Sequence, residues 1–244
     1  MNQQLIVFII IFLAVFTQSM AGFGFPLVAM ALLPAILGIH VVTPLVALLI
    51  VTMEVFLLYR YWDAINFKTI FPIILIALVG IPIGILISSH LDDNLVMALL
   101  GVVLTGYAIY ALLNEFTDRI RLPDLKDPIW AYVVGFFAGI LGGAYNTAGP
   151  IVIIYGNCRR WSTAEFKGNM QAFFMVTSLV SVLGHAWNGG LTPEVWHYYL
   201  WAIPAMVAGL IAGVSMDKHI SPQTFRRVVL LVLGVMGVNL VRMF

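Results

Sequence analysis

Charge is what this chain has least of: only 9% of its 244 residues are Asp, Glu, Lys or Arg, against about a quarter in an ordinary soluble domain. The 12 basic and 11 acidic residues nearly cancel, leaving a formal net charge of +1. That excludes the basic footprint a nucleic-acid partner requires. Cysteine is almost missing. Cys158 alone makes neither an internal disulfide nor a cysteine metal cluster, and reads as a small residue beside a membrane surface. His40 and His185 have no His, Cys or carboxylate at ligand spacing, so no metal site and no cofactor is expected. Two-residue alternation is missing as well. Leu5 to Phe16 and Val228 to Val235 are apolar without it, which excludes a transmembrane barrel. Ser19-Met20-Ala21 loosely resembles a cleavage site, but Asn2, Gln3 and Gln4 supply no positive region before it, so the first apolar run is read as part of the mature protein.

What the chain has in abundance is apolar length. Hydrophobic residues make up 62% of it and the mean hydropathy is +1.03. Runs near the roughly 20 residues that cross a bilayer recur from end to end. The fold class is therefore all-α polytopic membrane protein. Full spans are expected at Val41 to Tyr59, Ile70 to Ser88, Leu95 to Leu113, Glu165 to His185, Trp196 to Ser215 and Phe225 to Met243. Aromatic clusters at Tyr59 to Trp62 and at Trp187, Trp196, Tyr198, Tyr199 and Trp201 mark interfaces. The charged stretch with Glu115, Asp118, Arg119, Arg121, Asp124, Lys126 and Asp127 divides the chain into a first membrane repeat (1–114), a cytoplasmic linker (115–128) and a second repeat (129–244) within one integral membrane domain.

Each repeat opens with an interrupted run. Leu5 to Ala21 is broken at Gly22 to Phe25, and Pro26 starts a shorter piece ending near Leu37. Trp130 to Leu141 leads into Gly142-Gly143-Ala144-Tyr145-Asn146-Thr147-Ala148-Gly149-Pro150, and Ile151 to Asn157 leaves it. A twelve-residue helix covers only about 18 Å of a hydrocarbon core about 30 Å thick, so neither half of either run is comfortable as a full span. The halves align at a nearly constant offset: Pro26 with Pro150, Thr52 with Thr177, Gly80 and Gly84 with Gly209 and Gly213, and His90 with His219. Basic residues arbitrate the topology. If each interrupted run crosses once, they split evenly between the two sides. If each turns back as a re-entrant hairpin or two short crossings, every Lys and Arg except Arg242 falls on one side. The second arrangement makes the halves inverted repeats, each a broken helical hairpin followed by three transmembrane helices, with both termini extracytoplasmic and the broken tips converging near the midplane.

Two helix N-termini aimed at one cavity form an anion site without a buried cation. Pro26 and Pro150 suit the first helical turn, and Gly22, Gly24, Gly142, Gly143 and Gly149 admit close approach of backbone. Ser19, Phe23, Phe25, Ala144, Tyr145, Asn146 and Thr147 complete the expected substrate-binding set. The alternative role of the glycines is tight helix packing, which is the expected role of Gly80, Gly84, Gly209 and Gly213. Glu54 is the one acidic residue well inside a span, a costly placement that marks either a coupling site or a side chain reaching Arg60 and water. Thr52, Thr177 and Ser178 line the path or bond their own helices. Asn169 and Gln171 form a cytoplasmic vestibule or bond between helices. Arg159 and Arg160 are topology signals, with attraction of anions from the cytoplasm as the second reading.

Two four-part halves of this length, each with an apolar run, a glycine-rich break and a proline-led run, resemble the sulfite exporter TauE/SafE family of anion permeases. Many members have runs of consecutive glycines at the breaks; this chain has the more polar and aromatic Gln18 to Pro26 and Gly142 to Pro150 instead. The resemblance implies a cell-membrane permease for sulfite, an organosulfonate or a related organic anion, with a coupling proton or Na+ as the partner of a secondary transporter. An anion channel is one alternative. An intramembrane enzyme acting on a lipid or quinone is the other, and isolated Glu54 falls short of the acid/base pair, nucleophile or metal cluster it needs. The residues leave the oligomeric state open.

Overall fold

In a bilayer every backbone N–H and C=O must be satisfied within the protein, which confines spanning segments to helices and closed barrels. The computed structural model describes residues 3–116, 125, 127–216, 230–231, 234–235, 237–238 and 241, and contains no strand among them. Its helices are α1 (Gln3–Ala21), α2 (Phe25–Leu32), α3 (Pro34–Leu37), α4 (Ile39–Tyr61), α5 (Phe67–His90), α6 (Asp93–Phe116), α7 (Ile129–Tyr145), α8 (Gly149–Cys158), α9 (Thr163–Trp187) and α10 (Pro193–Met216), with a 3-10 turn at Trp62–Ala64. The expected last span, Phe225 to Met243, lies outside the described residues apart from a few helical positions, of which Gly234 and Gly237 face Ala108 and Thr105 of α6. The linker residues Asp118, Arg119, Arg121, Asp124 and Lys126 also lie outside them.

Among the described residues, six helices are long and apolar enough to cross a membrane: α1, α4 with its 3-10 turn, α5, α6, α9 and α10. Their outer faces are oily. On α5, Phe71, Leu75, Val79 and Ile83 recur every fourth residue and are exposed, while Ile70, Ile73, Ala77 and Ile81 are buried on the other side. A water-soluble helix puts polar residues on that outer stripe; here the stripe is suited to lipid. The molecule is an all-helical integral membrane protein.

The structure corrects three boundaries. The helix α1 has 19 residues and ranks among the six candidate spans, so the first run is not too short to cross. The following piece is divided at Leu33 by Pro34 into α2 and α3. And Gly142, Gly143, Ala144 and Tyr145 belong to α7, so the second break is only Asn146 to Ala148. Packing explains that last extension. Gly135, Gly139 and Gly143 form one stripe of α7 whose Cα atoms lie against the backbone of Ile73, Ala77 and Ile81 on α5, and Gly80 and Gly84 of α5 return the contact at Phe136 and Ile140. The close approach of two backbones holds these glycines helical despite their low propensity.

The contacts between halves are reciprocal. The helix α5 packs along α7, and α10 along α1, where Gly209 and Gly213 lie over Phe12, Phe16 and Ser19. The helix α4 packs along α9, flanked by contacts of α9 with α5 and of α4 with α10. Gly80 and Gly84 thus lie in the α5–α7 interface, and Gly209 and Gly213 in the α10–α1 interface.

Candidate functional site

The first break turns on glycine. Gly22 and Gly24 have φ of 82° and 117°, values in which a side chain is strained. Gly24 is the N-cap of α2 and Pro26 lies in the first turn, where its missing N–H costs nothing. The second break turns on Asn146, which ends α7 at φ 55°. Its N–H bonds the Gly142 carbonyl at 2.9 Å and the Thr147 N–H bonds that of Leu141 at 3.2 Å. This closes a left-handed helix end for which Asn is the usual substitute for glycine. Gly149 and Pro150 then begin α8.

Both breaks wall one cavity. Phe23, Gly24, Pro26 and Leu27 from the first face Asn146 and Gly149 from the second, with Phe174 of α9 between them, and the space is too narrow for a water molecule. Each break is also tied to the other half. Asn146 Nδ2 donates to the Thr43 carbonyl of α4 at 2.7 Å, and Gln171 Nε2 of α9 donates to the Gly22 carbonyl at 3.0 Å. Thr43 lies in the first turns of α4 and Gln171 in the early part of α9, so the breaks sit at different levels and overlap rather than meet head-on.

Three polar atoms around the breaks are buried without a hydrogen-bond partner among the described residues: Thr147 Oγ1, Glu54 Oε2 and Gln171 Oε1. Each such atom costs on the order of 1–3 kcal/mol, which calls for an explanation at the site. Thr147 is 1% exposed. Glu54 is fully buried; its Oε1 accepts from Gln18 Nε2 at 2.6 Å, and Gln18 Oε1 accepts the Phe25 N–H, the first of α2, at 3.0 Å. Glu54 therefore does not reach solvent, the simpler of its two expected roles.

Other expected residues lie elsewhere. Ser19 bonds the Val15 carbonyl of its own helix and packs on Gly213. Gly143 serves the α5 interface. Thr177 bonds the Phe173 carbonyl of its own helix, and Ser178 is buried nearby on α9. Thr52 bonds the Leu48 carbonyl and pairs with the Tyr199 hydroxyl of α10 at 2.7 Å. Asn169 Oδ1 accepts the Asn66 N–H at 2.8 Å, fastening α9 to the start of α5. Tyr145 is buried at the end of α7.

The two approaches to the cavity differ. On the side where α4 begins, a vestibule of about 580 Å³ opens among His40, Ser88, Ser89, His185, Asn188 and Glu194 and reaches down to Thr43 and Ala144. The Asn146–Thr43 bond therefore stands between vestibule and cavity. On the other side an aromatic cluster fills the approach: Phe23 meets Phe166 edge-on at 6.0 Å, Phe166 meets Trp161 at 6.4 Å and Trp161 meets Tyr155 at 5.9 Å. The stem of Lys167 lies against Gly22 and its ammonium over the Tyr61 ring.

Comparison with known proteins bears on this geometry. A family profile described as "Sulfite exporter TauE/SafE" matches residues 7–240. The "Probable sulfite/organosulfonate exporter TauE" of Cupriavidus necator is 25% identical over 225 residues, covering 91% of this chain and 88% of the relative. The "Probable inner membrane transporter protein TsaS" of Comamonas testosteroni is 25% identical over 164 residues, 66% of each chain. No solved structure matches the chain.

Proposed function

The chain belongs to the sulfite exporter TauE/SafE family of membrane transporters, and from that premise we propose that it is a permease for a small anion, sulfite or an organosulfonate, bound between the two helix breaks. One observation carries the reading: residues of both breaks, one from each half, wall a single cavity in a bundle otherwise built of packed apolar helices. The N-termini of α2 and α8 start there, each bringing about half a positive charge. Thr147 brings a buried hydroxyl without a partner, and Asn146 an amide that exchanges the Thr43 carbonyl for an anion oxygen.

The halves act as inverted repeats. Reciprocal packing of α5 on α7 and of α10 on α1 supports a two-fold relation, and the distribution of Lys and Arg favours an axis in the membrane plane, with Arg60, Lys68, Arg159 and Lys167 on the cytoplasmic side of a bacterial inner membrane. The vestibule then faces outward and the aromatic cluster closes the cytoplasmic side. A carrier alternates between this arrangement and its mirror. The closed cavity beneath Asn146 favours a carrier over an open channel.

The test is a thermal-shift screen of the purified protein in detergent against sulfite, thiosulfate, small sulfonates, carboxylates and neutral analogues, since a ligand of the folded state raises its stability. A concentration-dependent shift with one anion class, lost in Asn146→Ala, is expected. Equal shifts in wild type and Asn146→Ala contradict the site.

A further inference from the structure

We infer that Glu54 is a proton-binding site coupled to the anion site, and that the Gln18 amide relays its protonation to the tip of α2. The inference rests on the reading of the two breaks as the anion site. Three groups stand in line: the buried Glu54 carboxyl, the Gln18 amide 2.6 Å from it, and the Phe25 N–H 3.0 Å from the other end of that amide. Glu54 Oε2 has no partner. The helices α1, α2 and α3 carry no charged or titratable side chain. On α9, Glu165 bonds Asn66, Lys167 lies over Tyr61 and His185 belongs to the vestibule. On α10, Glu194 also lines the vestibule, His197 lies against Gln4 and Tyr198, and Tyr199 bonds Thr52. On α4 and its 3-10 turn, Arg60 stands over the Tyr61 ring, Tyr59, Arg60 and Asp63 border an outer groove, and His40 belongs to the vestibule. Gln18 is the one hydrogen-bond partner of Glu54 among the described residues.

The chemistry follows from what each group can donate. An ionised carboxylate only accepts hydrogen bonds, so Gln18 must turn its NH₂ to Glu54 and its carbonyl oxygen to Phe25, as observed. The first N–H of α2 is then taken up by an amide oxygen with a full negative charge behind it, which weakens the pull of the helix N-terminus on an anion. When a proton binds a Glu54 carboxyl oxygen, Glu54 gains an O–H that donates to Gln18 Oε1. The amide turns over, its NH₂ replaces the oxygen opposite the Phe25 N–H, and that N–H is released at the N-terminus of α2. Anion and proton thus favour one another's binding and cross in the same direction, one proton with one anion. No bond other than the O–H is made or broken.

The experiment uses proteoliposomes and radiolabelled ethanesulfonate, which stays ionised throughout the working pH range, so any pH dependence belongs to the protein. An exterior one pH unit more acid than the interior drives accumulation approaching about tenfold, the size of the proton gradient itself, and an entrapped pH dye reports protons entering with the anion. Glu54→Gln, fixed in the neutral form, exchanges labelled for unlabelled anion at a rate that no longer responds to pH, and does not accumulate it. Accumulation by Glu54→Gln as in wild type overturns the inference. So does wild-type exchange without proton entry, a result that leaves the anion site standing and does not depend on how the variant folds. Absence of exchange in wild type, with ethanesulfonate and sulfite alike, removes the anion-site reading and this inference together.

Discussion

At the scale of single residues, the second break separates backbone from side-chain work. Asn146 supplies both a left-handed turn and an amide to the Thr43 carbonyl. Asn146→Gly keeps the turn and loses the amide, so the fold should persist, at a cost of about 1 kcal/mol for the hydrogen bond, while anion-dependent stabilisation disappears. Thr147 gives the sharper contrast. Its hydroxyl is buried and unpartnered, so Thr147→Val, of nearly the same shape, should leave the ligand-free protein as stable or raise it by up to about 1 kcal/mol, and should weaken anion binding. Thermal melts with and without sulfite check both. A loss of ligand-free stability in Thr147→Val would show that the hydroxyl serves the fold. Some of this was legible beforehand. Asn146 and Thr147 stand out as polar residues in an oily run, and Glu54 as a lone acid in a span. Gln18 carries the same signal, a polar side chain one turn before a break, yet its bridge from Glu54 to Phe25 depends on how α1 faces α4, which residue order does not state. Leu27 and Phe174 carry no signal, since apolar residues in a span look alike whether they face lipid or a cavity.

At the scale of elements, glycine has two uses that sequence alone does not separate. Gly22 and Gly24 hold backbone angles closed to other residues, whereas Gly80, Gly84, Gly139 and Gly143 hold two helices close together. The stretch from Gly142 to Gly149 reads as one break, but packing on α5 keeps its first four residues helical. A Cβ at Gly84 would collide with the α7 backbone at Ile140 and Ala144, whereas one at Gly106 on α6 meets nothing within 4 Å. Gly84→Ala should therefore destabilise the protein by about 1–3 kcal/mol through overpacking. Gly106→Ala should stabilise it by up to about 1 kcal/mol through helix propensity. Melting temperatures in detergent decide. Equal effects at the two positions would refute the packing assignment. Five expected spans match α4, α5, α6, α9 and α10 to within a few residues, because a lipid-facing helix announces itself by composition, whereas α1 reads as too short and Phe225 to Met243 lies outside the described residues apart from a few positions.

At the scale of the whole molecule, the account describes a carrier open to one side: a polar vestibule above the Asn146–Thr43 bond and an aromatic cluster below Phe23. A cysteine replacing Ser89 in the vestibule should react with a membrane-impermeant maleimide from the extracytoplasmic side, Cys158 being buried. Labelling only from the cytoplasm would reverse the orientation inferred from the basic residues. Hydropathy made the membrane class readable. Which approach is open was not readable, because it depends on side-chain packing of Phe166, Trp161 and Tyr155, residues separate in the sequence from Phe23. The measurement that bears most directly on the central claim is counterflow of radiolabelled sulfite or ethanesulfonate into preloaded proteoliposomes, comparing wild type with Asn146→Gly. The account predicts trans-stimulated uptake by the wild type and its loss in the variant, with the variant still folded. Undiminished uptake in Asn146→Gly, or uptake indifferent to the preloaded anion, would contradict it.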